Sequence, residues 1–357
     1  MEAWKLLLAR MAHPAGNGPF LGGTEPASAM AALLGEAKAR WPGLLDAEEG
    51  SKLAAPELQR AAELLRGVDL VSDELAGLDA IFEFMVSRAA RGEKGQFFTP
   101  RHVVRELVRM VAPVAGEQVA DPACGSGAFL HAALRHAPGC EVFGFDQDPR
   151  AVRVARTLLA AAGQPCDRVQ RLDSLQRGEG AIRIESVMQR LGRPARFDVV
   201  LANPPFAGDV GDTFAGDYAL AAAGTVERDV LFLERCVGLL EPGGRLAIVL
   251  PHNKLGGHRW SAVRQWILAE LRVVAVLGLG RNTFLPHTSQ KTCVVIARRR
   301  ERAVAALPPT ERVLFFVSDQ SGKDGQGRLL LGPGGVTHDL GEPVTAVRAA
   351  LADAGAP

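Results

Sequence analysis

The chain has almost no net charge: 41 Lys and Arg stand against 40 Asp and Glu in 357 residues, a formal balance of +1. A protein that grips nucleic acid alone through phosphate contacts usually carries a clear basic excess. Any nucleic-acid role therefore calls for a local basic face or a partner that shares the grip. Cysteine is sparse as well. The five, at 124, 140, 166, 236 and 293, form no Cys-x-x-Cys pair and no His/Cys cluster with metal-ligand spacing. That argues against structural zinc and against a disulfide framework, and free thiols in a reducing cytosol are expected. No apolar run approaches the length of a membrane span, and Met1 to Lys5 lack the basic-then-apolar layout of a secretion signal. Repeats and low-complexity tracts are missing too. What is present is an ordinary globular composition, 47% hydrophobic and 23% charged, enough for one large domain or two unequal ones. The expectation is a cytoplasmic protein with no membrane segment.

Up to about residue 95 the pattern is helical. Met30, Leu33, Leu34 and Trp41 form one apolar stripe, and Leu75, Leu78, Phe82, Met85 and Ala89 another, at spacings of three and four. Core packing is the ordinary use of such stripes; surplus apolar surface for a partner is the competing one. From about 96 the texture changes. Short apolar runs at 117–121, 141–145, 168–172, 197–202, 245–250, 272–278 and 291–297 alternate with helical stretches, except that no convincing helix separates the last two. Alternating strands and helices predict an α/β fold with a mostly parallel sheet, its last strand antiparallel. The tail offers a strand at 312–317, a Gly-rich turn from Ser321 to Gly327, a strand at 328–331 and a helix at 344–353. Three parts are expected: a helical N-terminal domain (1–94), an α/β domain (95–300) and a short C-terminal extension with a β-hairpin and a terminal helix (301–357).

Val119 to Gly127 reads as a strand, then a tight turn (Asp121, Pro122, Ala123, Cys124, Gly125, Ser126, Gly127), then a helix. Glycines let backbone approach a ligand, and a helix N-terminus offers unpaired N–H groups. A Gly-x-Gly turn alone is weak, since many strand-to-helix turns carry it for structural reasons. Two further carboxylates strengthen it. Asp146, followed by Gln147, ends the next strand, where it can accept ribose hydroxyls, and Asp173 ends the third, where it can meet an adenine amine. Leu130 occupies the place of the third glycine of a dinucleotide fingerprint, so a single nucleoside suits the site better. Upstream, Thr99 and Pro100 fit a helix N-cap and first position; the functional alternative is that Thr99 and its neighbouring amides bind a carboxylate.

Phe197 to Ala202 is a buried strand that runs into Asn203, Pro204, Pro205 and Phe206. An exocyclic aromatic amine is a poor nucleophile because its lone pair is delocalised into the ring. Two acceptors on its hydrogens can pull the nitrogen toward tetrahedral geometry. The Asn203 side-chain carbonyl can be one, and the Pro204 backbone carbonyl, held by successive prolines, the other. Phe206 offers a face for a flat base. A plain strand-ending turn is the competing reading. A cysteine nucleophile is set aside, because the only Pro-Cys pair, Pro165–Cys166, lies away from this turn; Cys124 reads as a small packing residue.

Taken together, GQFFTPR (95–101), DPACGSGAFL (121–130), NPPF (203–206), LFLERCVGLLEPGGRLAIVLP (231–251), FLPHTSQKTCVVI (284–296) and FFVSDQSGKDGQGR (315–328) resemble the N6-adenine DNA methyltransferase family. The resemblance is nearest to the modification subunit of type I restriction–modification systems and covers about residues 75 to 331. It implies a Rossmann-like methyltransferase domain behind a helical one, with S-adenosyl-L-methionine as cofactor. It implies that Phe98, Thr99, Asp121, Ala123, Gly125, Ser126, Gly127, Asp146, Gln147, Asp173 and Asn203 line the cofactor site. Asn203, Pro204, Pro205 and Phe206 would act on the target base, with Phe206 and Phe284 packing against it. Gln147 departs from the aliphatic residue common at its place. Double-stranded DNA is the implied substrate, with the adenine flipped out of the helix. Only about 60 residues follow Ile296, too few for a target-recognition domain. A separate specificity subunit, and with it a restriction subunit, are therefore the expected partners. An RNA base or a protein glutamine as acceptor, and a non-catalytic subunit, are the alternatives. Arg281 and the Arg298–Arg302 run are phosphate-contact candidates, or else a solvated charged face.

Overall fold

A computed structural model describes residues 2–13, 21, 25–46, 48–66, 98–178, 181–206, 208, 210, 214, 216–221, 227–306, 308 and 310–355. The stripe from Leu75 to Ala89, and Gly95 to Phe97 of the GQFFTPR motif, lie outside the described residues.

Three helices open the chain: α1 (Glu2–Ala12), α2 (Pro26–Arg40) and α3 (Ala55–Leu64). Strands and helices then alternate: α4 (Arg101–Val111), β1 (Gln118–Asp121), α5 (Ala128–His136), β2 (Glu141–Asp146), α6 (Pro149–Ala161), β3 (Val169–Arg171), α7 (Ile184–Arg190), β4 (Phe197–Ala202), α8 (Arg228–Leu239), β5 (Leu240–Pro251), α9 (Ser261–Glu270), β6 (Leu271–Gly278) and β7 (Thr292–Arg299). The tail adds β8 (Leu314–Val317), β9 (Leu331–Gly332), β10 (Gly335–Val336) and α10 (Val344–Asp353).

The main sheet has eight strands in the order β3-β2-β1-β4-β5-β7-β6-β8. All neighbours are parallel except β7, which lies antiparallel between β5 and β6. The fold is thus the expected Rossmann-like α/β sheet with one reversed strand. The order doubles back at β1 and β4, and ligands of open α/β sheets sit outside the carboxyl ends of strands at such a point.

Side chains along a strand point alternately to the two faces. Val119, Val199, Leu201, Ala247 and Val249 join the cluster formed with α4, α5, α6 and α10. Ala120, Val200, Ala202, Leu246, Ile248 and Leu250 join the cluster formed with α7, α8 and α9. Helix α4 places Val103, Val104, Leu107, Val108 and Val111 in the first cluster, each almost fully buried. At roughly 1.5–3 kcal/mol for a fully buried aliphatic side chain, this one face is a major anchor of the element that follows Thr99–Pro100.

The N-terminal helices are packed against this body. Met30, Leu33, Leu34 and Trp41 are buried with Trp4, Leu8 and Leu58, and Val154 and Leu158 of α6 belong to the same cluster. Trp4 Nε1 donates to Thr157 Oγ1 at 2.8 Å. The stripe of Met30, Leu33, Leu34 and Trp41 is therefore core.

In the tail, the strand at 312–317 does not pair with 328–331. Its Leu314–Val317 part, β8, extends the main sheet beside β6, and β9 pairs antiparallel with β10. No helix among the described residues is long and apolar enough to cross a membrane.

Candidate functional site

Because β1, β2 and β3 are parallel neighbours, their carboxyl ends share one rim. Asp121, Asp146 and Asp173 stand on or just past it. Asp121 is only 2% exposed, and its Oδ1 accepts the Ala123 N–H at 2.9 Å. Burial pushes this carboxyl well above the ordinary range, and the nearby Asp146 adds to the rise. Asp146 accepts the Gly125 N–H on Oδ2 at 2.9 Å and the Asp148 N–H on Oδ1 at 2.8 Å. It therefore staples the turn after β1 to the turn after β2. Burial raises the Asp146 carboxyl, and those two hydrogen bonds hold it back. Asp173 is half-buried and accepts the Leu175 N–H at 3.1 Å. Beside it, Ser174 donates to the Pro122 carbonyl at 2.6 Å, tying the third strand end to the first.

The turn itself depends on Gly127, with φ +87°, where a Cβ would lie 3.0 Å from Ala155 Cβ on α6. At Gly125 a Cβ would meet nothing within 4 Å, so this side of the turn is open. Ser126 is buried, Ala123 half-buried, and Gln147 stands exposed at the rim with its carbonyl accepting from Arg171 Nε at 3.3 Å. Ala123 packs on a small cluster of Leu175, Phe214, Tyr218, Ala221, Leu231 and Phe232. Residues after the Asn-Pro-Pro-Phe turn thus reach back to the end of β3.

Thr99 is buried, but it does not cap α4. The helix starts at Arg101, Pro100 takes the N-cap position, and there is no side-chain cap hydrogen bond. The capping reading of Thr99 is corrected on this point. Phe98 is half-buried and packs on the N-terminal helical cluster.

β4 lies between β1 and β5, so Asn203 emerges on the same rim as Asp121. Asn203 and Pro205 are half-buried, and Pro204 is buried. Phe206 and Phe284 are 6% and 1% exposed, and their rings meet edge to face with centroids 5.7 Å apart at 84°. The loop after β6 therefore carries Phe284 onto the turn after β4.

Sequence reasoning missed a buried ionic group next to this turn. Lys254, just past β5, pairs with Glu227 and lies 3.3 Å from Asp229, with its ammonium 3.9 Å over the Trp260 ring. Burial raises the Asp229 carboxyl and Lys254 opposes the rise. The group sits where α8 begins, and there Arg228 N donates to Gly208 O at 3.1 Å. A lone lysine after an apolar strand gives no periodic or motif signal.

The phosphate-contact reading of the Arg298–Arg302 run fails for its first three members. Arg298 donates to Leu351 O at 2.7 Å and Gly243 O at 2.6 Å. Arg299 donates to Leu240 O, and Arg300 forms a two-pronged pair with Glu311 at 2.7 and 2.6 Å. Because β7 runs antiparallel, these residues lie beside the start of β5, at the opposite end of the sheet from Asn203. Arg281 is exposed in the loop that carries Phe284.

Comparison with known proteins agrees with this fold. The family model described as N-6 DNA Methylase matches residues 74–329. The methylase subunit of the type I restriction enzyme EcoEI of Escherichia coli is 25% identical over 279 residues, 72% of this chain and 52% of that protein. The EcoKI methylase subunit of Escherichia coli K12 is 26% identical over 220 residues, 57% of this chain and 41% of its own length. The chain thus spans about half the length of the curated relatives it matches. Among solved structures, the methyltransferase subunit of a type I restriction–modification system from Streptococcus thermophilus superposes with a TM-score of 0.67 at 20% identity. That match covers 97% of this chain and 74% of the other, and shows the shared fold.

Proposed function

The chain belongs to the N-6 DNA methylase family, and on that premise we propose that it methylates the exocyclic N6 amine of adenine in double-stranded DNA, as the modification subunit of a restriction–modification system. The observation that carries this reading is the Asn203–Phe206 turn on one rim with Asp121, Asp146 and Asp173, and with Phe284 packed on Phe206.

The residues present fit S-adenosyl-L-methionine. Acidic side chains at successive strand ends suit the hydroxyls and amine of a nucleoside and repel phosphate, and the open side of the turn at Gly125 leaves room for it. When bound, this group supplies a methyl already activated on a sulfonium. Asp146 would accept from the ribose and Asp173 from the adenine amine, with Asp121, Ala123, Ser126, Gly127 and Gln147 around them. Phe98 and Thr99 would hold the methionine end. The Asn203 side-chain carbonyl and the Pro204 backbone carbonyl would accept the two hydrogens of the target amine and localise its lone pair. The rigid turn positions those acceptors before the base arrives, and positioning supplies much of the rate.

Phe206 and Phe284 would flank the flipped adenine. A base between two rings needs about 7 Å, twice a carbon contact distance of about 3.5 Å. Its arrival therefore widens the observed pair. Flipping itself costs roughly a few kcal/mol. The part before residue 95 acts in this reading as a helical domain docked on the catalytic body (95–300), and residues 301–357 as an extension of it. A separate specificity subunit reads the DNA sequence, and a restriction subunit acts with the same assembly in the cytoplasm. The near-neutral charge and the internally bonded Arg298, Arg299 and Arg300 support a shared grip on DNA. The family description names DNA, which disfavours an RNA base or a protein glutamine as acceptor.

Asn203→Ala provides the test. It should lower methyl transfer by about 10²- to 10³-fold, the cost of removing one well-placed polar group at the reacting centre. Calorimetric affinity for S-adenosylhomocysteine should fall far less than transfer does, since Asn203 is only one of the residues expected to line the cofactor site. Unchanged transfer by the variant would overturn the assignment.

A further inference from the structure

The Ser321–Gly327 turn is wedged between two parts of the site. On one side, Ser321 O lies 2.9 Å from His102 Nε2, on the helix that follows Thr99–Pro100. On the other, the turn clasps the loop that carries Phe284. Lys323 Nζ donates to Leu285 O at 2.7 Å, and the Lys323 carbonyl receives Asn282 Nδ2 at 3.4 Å and Ser321 Oγ at 3.1 Å. Lys323 therefore grips the residues at 282 and 285, on both sides of Phe284. The fit is close: a Cβ at Gly327, where φ is +82°, would come within 2.7 Å of Leu285 C and Pro286 N.

We propose that Lys323 is a positioning residue for the target-base pocket, bracketing Phe284 and setting its ring against Phe206. The proposal rests on the assignment of Phe206 and Phe284 to the target base. A charged donor on a backbone carbonyl makes a stronger bond than a neutral one, and it fixes the loop where no regular secondary structure does. Phe284 itself is 1% exposed. With the loop held on both sides of it, at the Leu285 carbonyl by Lys323 Nζ and at the Asn282 side chain by the Lys323 carbonyl, the ring can turn aside to admit a base and return to one place. The same turn touches α4 through Ser321, so the segment proposed to hold the methionine end and the loop proposed to hold the base share one support.

The test compares wild type, Lys323→Met, Lys323→Arg, Phe284→Ala and the Met/Ala double variant. Tritium transfer from labelled S-adenosyl-L-methionine to unmethylated genomic DNA is followed, using the chain together with the products of its neighbouring genes. Lys323→Met should lower kcat/KM for DNA by about 10- to 100-fold, the size of effect expected from misplacing a group by about an ångström. Affinity for S-adenosylhomocysteine should hold, and Lys323→Arg should restore most of the loss. In the Phe284→Ala background, Lys323→Met should add almost nothing, because residues that act through one another are not additive. Full multiplication of the two effects, or transfer by Lys323→Met equal to wild type, would overturn the proposal. The ¹⁹F resonance of 4-fluorophenylalanine placed at 284 gives a reading independent of activity. It should shift or broaden in Lys323→Met and return in Lys323→Arg. An unmoved resonance contradicts the bracket. Absence of methyl transfer by wild type, with the resonance still responding, would instead count against the proposed function.

Discussion

Individual side chains carry opposing demands in this protein. Asp121 is the sharpest case: a carboxyl 2% exposed, raised by burial and by Asp146, at the place where a cofactor is proposed to sit. A carboxyl whose folded-state value lies above its unfolded one favours the native state most when protonated. Its contribution is full below the ordinary carboxyl range and is lost as pH rises from there toward the raised value. Asp121→Asn keeps an oxygen for the Ala123 N–H and removes the buried charge. Its melting temperature at neutral pH should rise, by about 2–4 °C if the gain is about 1 kcal/mol. Its loss of stability between pH 4 and 7 should flatten relative to wild type, and S-adenosylhomocysteine should bind more weakly. Thermal scans across that range check the first two points. A lower melting temperature would mean that the carboxylate is structural.

At this scale the site was legible in the sequence wherever a residue sits at a strand end. Asp121, Asp146, Asp173 and Asn203 all stand on one rim because a parallel sheet aligns the ends of its strands. Thr99 was legible only as a choice, and the helix start at Arg101 decided against capping. Phe284 was implied by resemblance alone, since nothing local in the chain places it on Phe206. Lys254 left no trace, and Lys323 showed only as a member of the Gly-rich turn and the 315–328 motif, because their partners are carboxylates and carbonyls brought near by tertiary packing rather than by spacing.

Among the elements, the core strands followed from their apolar runs. Phe197–Ala202 and the helix Val344–Asp353 appear at the expected positions, the first buried on both faces and the second amphipathic. The edges were less legible. β5 begins at Leu240, before the expected 245, with an irregular register opposite Phe197 and Val199. Gly243 and Gly244 hid that start. β8 joins the main sheet because β6 offers it a free edge, which no local hairpin signal reveals. The Arg298–Arg302 run reads as an electrostatic surface, yet Arg298 ties the end of α10 to the first part of β5 at Gly243. Arg298→Ala removes two bonds from a charged donor to backbone carbonyls and should cost roughly 1–3 kcal/mol in urea unfolding. DNA affinity of the assembled complex should stay within about twofold, since a phosphate-contact residue would instead reduce the salt dependence of binding. A flatter salt slope in the variant would return this arginine to the DNA interface.

For the whole molecule, the sheet order and the shared rim make one face, the face proposed to meet DNA. A net charge of +1 leaves phosphate attraction to a local basic face or to a partner that shares the grip, and the proposed reading takes the partner. Mobility shifts with the purified chain alone should therefore show little preference for sequence, and tight specific binding would sink the idea of a separate specificity partner.

The most direct measurement is single-molecule sequencing of genomic DNA from a host expressing this chain, with and without its neighbouring genes, beside an Asn203→Ala version. N6-methyladenine is expected at a defined motif, dependent on intact Asn203 and on a neighbouring gene product. No new methyladenine under any combination, or methylation that survives Asn203→Ala, would contradict it.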